Sequence, residues 1–201
     1  HKEKKLGIRA DDTAAYVFQN CRIPRANLLG GDETIPKETS GGFRGVMKTF
    51  NMTRPAVAAI GLGIAEAALD FTRDQLRAAG FDVDAYGAGL RGQSAAVEKL
   101  HRLEALYEAA MLTVLNAAWL SDKGQPNNIE ASVAKAKGGS AVREITQGCI
   151  EILGPLGVSR EHLLEKWFRD VRITDIYEGT GQIQHLIIAR TILGYGRNEL
   201  R

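Results

Sequence analysis

With only two cysteines, Cys21 and Cys149, and no CxxC spacing, the chain has no basis for a disulfide scaffold. Both are expected as buried, reduced thiols. Four scattered histidines show no metal-ligand spacing, so no metal site is expected. No apolar run approaches the roughly 20 residues of a membrane span. The charged opening His1-Lys2-Glu3-Lys4-Lys5 is followed by no signal-peptide core, and the expected location is cytoplasmic. Charge of one sign is lacking too. Lys and Arg number 26 against 24 Asp and Glu, and the resulting +2 is spread along the chain. That argues against nucleic acid as a partner and leaves a phosphorylated ligand open.

What is present is an ordinary globular composition, 44% hydrophobic and 25% charged, in a chain long enough to bury a core. Its first part differs in texture from the rest. Ala15-Tyr16-Val17-Phe18 and Cys21-Arg22-Ile23-Pro24 read as short strands, punctuated by Asp11-Asp12-Thr13 and Pro24-Arg25-Ala26-Asn27. Two strands make no stable sheet alone. Residues 1–32 are therefore expected to be the end of a β-domain completed by earlier residues or by another chain. Residues 33–42 read as a polar linker, and 43–201 as a helical domain.

Ile60, Ile64, Ala67, Ala68, Phe71 and Gln75 follow helical spacing, and Pro55 predicts a kink or a restart. Val97, Leu100, Leu103, Leu106, Met111 and Val114 mark a second helix, stopped at Lys123-Gly124. Asn127-Asn128 caps a third, Ala131 to about Leu153, with Ala134, Val142, Ile145, Cys149 and Ile152 inward, and Gly154-Pro155 breaks it. A loop carrying Glu165-Lys166-Trp167-Phe168-Arg169-Asp170 leads to a last helix from about Thr180 to Leu193. The expected fold is mainly α, an antiparallel four-helix bundle preceded by a remnant of a β-domain.

Ile176-Tyr177-Glu178-Gly179-Thr180-Gly181-Gln182-Ile183-Gln184 places a carboxylate at a loop–helix junction beside a glycine. Backbone N–H groups there are free to hold an oxygen, and a base beside them suits abstraction of a proton α to a thioester. The same carboxylate could equally fill a capping position and favour the helix dipole.

Four segments decide which chemistry to expect. Glu165-Lys166-x-x-Arg169-Asp170 resembles the E-K-x-x-R-D stretch of the acyl-CoA dehydrogenase family, and Ile176 to Arg190 resembles its I-Y-E-G-T-x-Q-I-Q-x-L-I-x-A-R signature. Phe50 to Arg54, with Pro55, Ala58 and Ala59, resembles its F-D-x-x-R-x-x-x-A-A helix entry. Asp12-Thr13, Val17-Phe18 and Arg22-Ile23-Pro24 resemble the last strands of its middle β-domain.

The resemblance implies an FAD enzyme that converts an acyl-CoA thioester to the trans-2-enoyl-CoA and passes electrons to an electron-transfer flavoprotein. Glu178 matches the catalytic base. Asn51, Arg54 and Gly179 match substrate-contacting positions, and Thr180 and Gln182 match FAD contacts. Tyr86, Gln93 and Gly154 fall in segments that reach a partner's FAD. Family members carry further N-terminal domains, so the chain alone is expected to be an incomplete enzyme that does not hold FAD.

The departures from the pattern cluster. Val83 stands where the family has an arginine before its Phe-Gly pair, here Tyr86-Gly87, and Arg77 could compensate only if the loop folds back. Ser94 takes a glutamine's place, with Gln93 one position early. Glu151 and Pro155 alter the Q-I-L-G-G turn, adding a carboxylate beside an expected pyrophosphate and removing an N–H. Asn51 replaces an aspartate. A hetero-oligomer with unequal sites and a homotetramer that tolerates drift both fit. An acyl-CoA oxidase and a non-catalytic structural subunit are the competing functions, and a flavin monooxygenase would leave Glu178 unexplained.

Overall fold

The computed structural model describes residues 1–27, 40–87, 92–196 and 199. Three long helices carry the fold, α1 (Ser40–Ala78), α2 (Ala95–Asp122) and α3 (Asn128–Leu153), followed by α4 (Leu164–Asp170) and α5 (Gly181–Leu193). The expected linker over 33–42 lies outside the described residues as far as 39, and residues 40–42 belong to α1.

α3 is the central element. It packs against α1, α2, α4 and α5 and against the 3-10 turns Gly154–Val158 and Val171–Asp175. Its sequence explains this, because small residues recur on all its faces. Ala131, Ala134, Gly138, Gly139, Ala141, Val142, Ile145, Gly148 and Cys149 are all buried. A Cβ on Gly138 would come within 2.7 Å of the Ala58 Cβ, and one on Gly148 within 2.7 Å of Leu103. The neighbouring helices therefore approach more closely than larger side chains permit.

α1 buries Ala58, Leu62, Ala65, Leu69, Thr72 and Leu76, a stripe at three- and four-residue intervals. This corrects the face read from Ile60, which is 56% exposed. Apart from Glu66 the segment from 56 to 69 is apolar, and its many alanines and glycines leave the inner side undecided by periodicity alone. By length and composition Gly45–Ala78 is apolar enough to cross a bilayer, and half of its most apolar window is buried within the fold. On α2, Val97, Leu100, Leu103 and Val114 are buried as their spacing predicts, and Leu106 packs against the core from its edge. Full burial of each such Leu contributes roughly 1.5–3 kcal/mol.

Pro55 does not restart the chain, since α1 runs through it. It lacks the N–H that would bond the Asn51 carbonyl. Asn127 Nδ2 donates to that carbonyl at 3.3 Å and to the Ala117 carbonyl at 3.1 Å. Asn127 stands at the N-cap of α3 without capping it, because its amide is used across the bundle.

The expected loop over Glu165–Asp170 is instead α4. Among the described residues no strand forms. Residues 1–27 hold one isolated antiparallel bridge, Lys2 to Ala14, and the predicted strands at 15–18 and 21–24 are exposed and unpaired. Cys21 is exposed, against expectation, while Cys149 is buried.

Candidate active site

After α4 the chain makes the 3-10 turn Val171–Asp175, and Ile176 and Tyr177 donate back to the Ile173 carbonyl. The backbone then turns left-handed at two successive residues, Glu178 (φ 56°) and Gly179 (φ 97°). Gly179 is the only residue type suited to its place, since a Cβ there would strike the buried Gln184 amide. That amide fixes the turn, with Nε2 donating to the Gly179 carbonyl at 3.2 Å. Thr180 caps α5 by accepting from the Ile183 N–H. Capping is therefore the work of Thr180, and Glu178 is left for something else.

The Glu178 side chain reaches α1, where its Oε2 accepts from Thr53 Oγ1 at 2.7 Å. Arg54, the next residue, is 6% exposed; it donates to Asn51 Oδ1 at 3.1 Å and leaves Nε buried without a partner. Burial pulls the Arg54 pKa down while the charge of Glu178 pulls it up. Lys135 on α3 is fully buried and donates to the Thr174 carbonyl at 2.6 Å. Its pKa too is lowered by burial, with Asp175 and Glu178 opposing. Burial and the Glu178 carboxylate together push the Tyr177 phenol up. The carboxylate thus accepts from one hydroxyl and feels the charge of two buried cations.

Asn51, Arg54, Glu178 and Gly179 lie near one another, linked through the Thr53–Glu178 and Arg54–Asn51 hydrogen bonds. Asn51 also donates to Asn128 Oδ1 at the start of α3. Thr180 and Gln182 lie at the start of α5, with Gln182 exposed. Tyr86, Gln93 and Gly154 lie elsewhere. Lys135 marks the Glu178 level on α3, while Glu151 near its C-terminal end pairs with Lys99 of α2. Sixteen residues at 1.5 Å each place these levels about 24 Å apart. Within one chain the two groups of residues do not share a site.

At that far end, Tyr86 stacks on His101 with ring centroids 4.2 Å apart and donates to Glu104. Gln93 donates to the Ala85 carbonyl, and Ser94 caps α2 through the Val97 N–H. Val83 is buried in the core. The loop does fold back, bringing Arg77 to Asp84 at 3.3 Å, but its guanidinium also meets Asp74. Glu151 is held ionised by Lys99 and Gln147, so its negative charge is already paired. Gly154 ends α3 with φ 57°.

Thr53 and Lys135 are the site residues that sequence reasoning misses. A lysine inside the stripe Ala131, Ala134, Lys135, Gly138, Val142 is a readable signal, since charge on an inner helix face demands a partner. Thr53 offers none, because a threonine on a helix is commonplace.

Among the described residues no group engages the Glu178 or Gly179 N–H. Together with the exposed Gln182 amide, these donors fit a thioester oxygen and the polar edge of a flavin.

Residues 40–193 match the family model for the acyl-CoA dehydrogenase C-terminal domain. The mitochondrial short-chain specific acyl-CoA dehydrogenase of Mus musculus is 40% identical over 192 residues, covering 96% of this chain and 44% of the relative. The structure of butyryl-CoA dehydrogenase from Megasphaera elsdenii superposes with a TM-score of 0.79 at 32% identity, over 96% of this chain and 48% of that one. A structure described as the electron transferring flavoprotein of Acidaminococcus fermentans gives 0.80 at 30% identity, over 96% and 48%. The chain spans about half the length of the curated relatives it matches.

Proposed function

The chain belongs to the acyl-CoA dehydrogenase family, and from that premise we propose that it carries the proton-abstracting half of an α,β-dehydrogenation of an acyl-CoA thioester. Glu178 takes the α-proton and the product is the trans-2-enoyl-CoA. The observation that carries this reading is the left-handed Glu178–Gly179 turn, which presents a carboxylate beside two unengaged N–H donors. Those donors hold the thioester oxygen as negative charge builds on it. Thr53 orients the carboxylate, and Arg54 and Lys135 supply positive charge beside it. Thr180 and Gln182 would help to hold FAD, which when bound would supply the acceptor for the β-hydrogen.

A short acyl chain is the substrate class, in keeping with the names of the mouse and Megasphaera relatives. An electron-transfer flavoprotein would be the partner that takes up the electrons. The roughly 24 Å between the Glu178 loop and the Tyr86–Gln93–Gly154 region supports an oligomer, in which the far end serves a neighbouring subunit. The exposed Leu112, Leu115 and Trp119 on one face of α2 offer it an apolar contact.

The test is Glu178→Gln in the assembled enzyme, with butyryl-CoA as substrate. A general base contributes roughly 10²–10⁴-fold, and a loss of that size is expected in both turnover and α-proton exchange. Unchanged turnover would overturn the reading and favour a structural subunit. Oxygen consumption matching turnover would favour an oxidase.

A further inference from the structure

The charged stretch that opens α4 has a use that base chemistry does not absorb. Its four charges form two ladders one helical turn long. Glu165 accepts from Arg169 through both carboxylate oxygens, at 2.9 and 3.1 Å, and Lys166 pairs with Asp170 Oδ2. Each ladder ends on the backbone of a segment more than 160 residues away in the chain. Arg169 NH1 donates to the Leu6 carbonyl at 2.9 Å, and Asp170 Oδ1 accepts from the Ile8 N–H at 2.7 Å.

Between these two contacts lies Gly7. A Cβ there would fall within 2.6 Å of the Arg169 carbonyl carbon and the Asp170 Cα, so only glycine lets the two backbones touch. Ile8 is left-handed, at φ 47°, a conformation a β-branched residue resists. Something must hold it there, and the 95% buried Asp170 carboxylate is the group in place to do so. The bridge Lys2 to Ala14, with Lys5 Nζ donating to the Asp11 carbonyl at 2.6 Å, closes the loop that presents residues 6–8.

We propose that Glu165, Lys166, Arg169 and Asp170 form a two-armed clamp that seats the Leu6–Gly7–Ile8 backbone on α4. Asp170 is also the residue from which the Val171–Asp175 turn starts, and that turn leads into Glu178. Seating residues 6–8 therefore registers the N-terminal segment with the Glu178 loop through one short, hydrogen-bonded path. Arg169 and Asp170 are positioning residues. Their consequence for catalysis rests on the proposed dehydrogenation, whereas the clamp itself does not.

Amide hydrogen exchange on the 201-residue chain tests the clamp without any turnover, so its failure is separate from failure of the enzymatic reading. In Asp170→Asn, exchange at Ile8 is expected to rise about tenfold or more, while α3 residues 134–145 keep their protection. Gly7→Ala keeps the sequence of α4 and is expected to do the same, and it decides the matter if the Asp170 variant fails to fold. The exchanged pair Glu165→Arg with Arg169→Glu keeps a salt bridge on α4 but turns a carboxylate towards the Leu6 carbonyl. If the charges only stabilise the helix, this double variant restores wild-type protection at Ile8; the clamp predicts that it does not. Unchanged Ile8 protection in Gly7→Ala, or restored protection in the double variant, overturns the proposal.

Discussion

Thr53 Oγ1 donates a 2.7 Å hydrogen bond to Glu178 Oε2, across 125 residues of sequence, and ties the candidate base to the first long helix. A hydrogen bond to a charged group is worth about 1.5–3 kcal/mol, and a mispositioned base loses rate in proportion. Thr53→Val is expected to slow α-proton exchange of butyryl-CoA by roughly 10-fold or more in the assembled enzyme, and Thr53→Ser to stay near wild type. If the valine variant exchanges at the wild-type rate, the bond does not orient the carboxylate.

The site was legible where the chain advertises it and silent where the fold does the work. Glu178, Gly179 and Arg54 stand in recognisable segments, and the structure gathers them. Thr53 meets Glu178 only because α1 passes the end of the Val171–Asp175 turn, a relation that no local pattern encodes. The boundaries of α2 and α3 could be read from the Gly124 stop and the break at Gly154-Pro155. The inward face of α1 could not, because alanine and glycine fit either side of a helix. The short helix α4 escaped notice since seven residues are too few to show periodicity.

Asn127 satisfies a carbonyl that Pro55 leaves without its helical donor. Asn127→Ala strips the Asn51 and Ala117 carbonyls of this partner and is expected to cost about 1–3 kcal/mol in urea unfolding. Pro55→Ala restores an N–H four residues beyond Asn51. In that background, the cost of removing Asn127 is expected to be smaller. A double-mutant cycle with no coupling between the two positions would mean that the amide does not serve the proline gap.

The α1–α3 crossing makes a steric prediction. Gly138→Ala places a methyl group 2.7 Å from the Ala58 Cβ, and overpacking of this kind costs roughly 1–3 kcal/mol. Ala58→Gly in the same chain removes the clash and is expected to recover part of the loss despite glycine's lower helix propensity. Thermal or urea unfolding of the two single variants and the double variant measures this. Equal stability of Gly138→Ala and wild type would show that the helices can separate at little cost.

Burial of Cys149 raises its pKa from 9.0 to about 11. A thiol that holds its proton more tightly when folded contributes stability that is fully present below the unfolded value. Between about pH 9 and 11 the unfolded chain ionises while the folded one does not, so stability falls as pH rises through that window. A shift of this size corresponds to no more than about 3 kcal/mol. Comparing urea unfolding of wild type and Cys149→Ala at pH 8 and pH 11 isolates this contribution from other alkaline titrations. The wild type is expected to lose more stability than the variant. The same burial predicts chemistry at lower pH: iodoacetamide at pH 8 is expected to modify the exposed Cys21 and to reach Cys149 only after unfolding. Rapid labelling of both thiols in the native chain would mean that α3 opens locally around Cys149, and the alkaline loss of stability should then shrink with it.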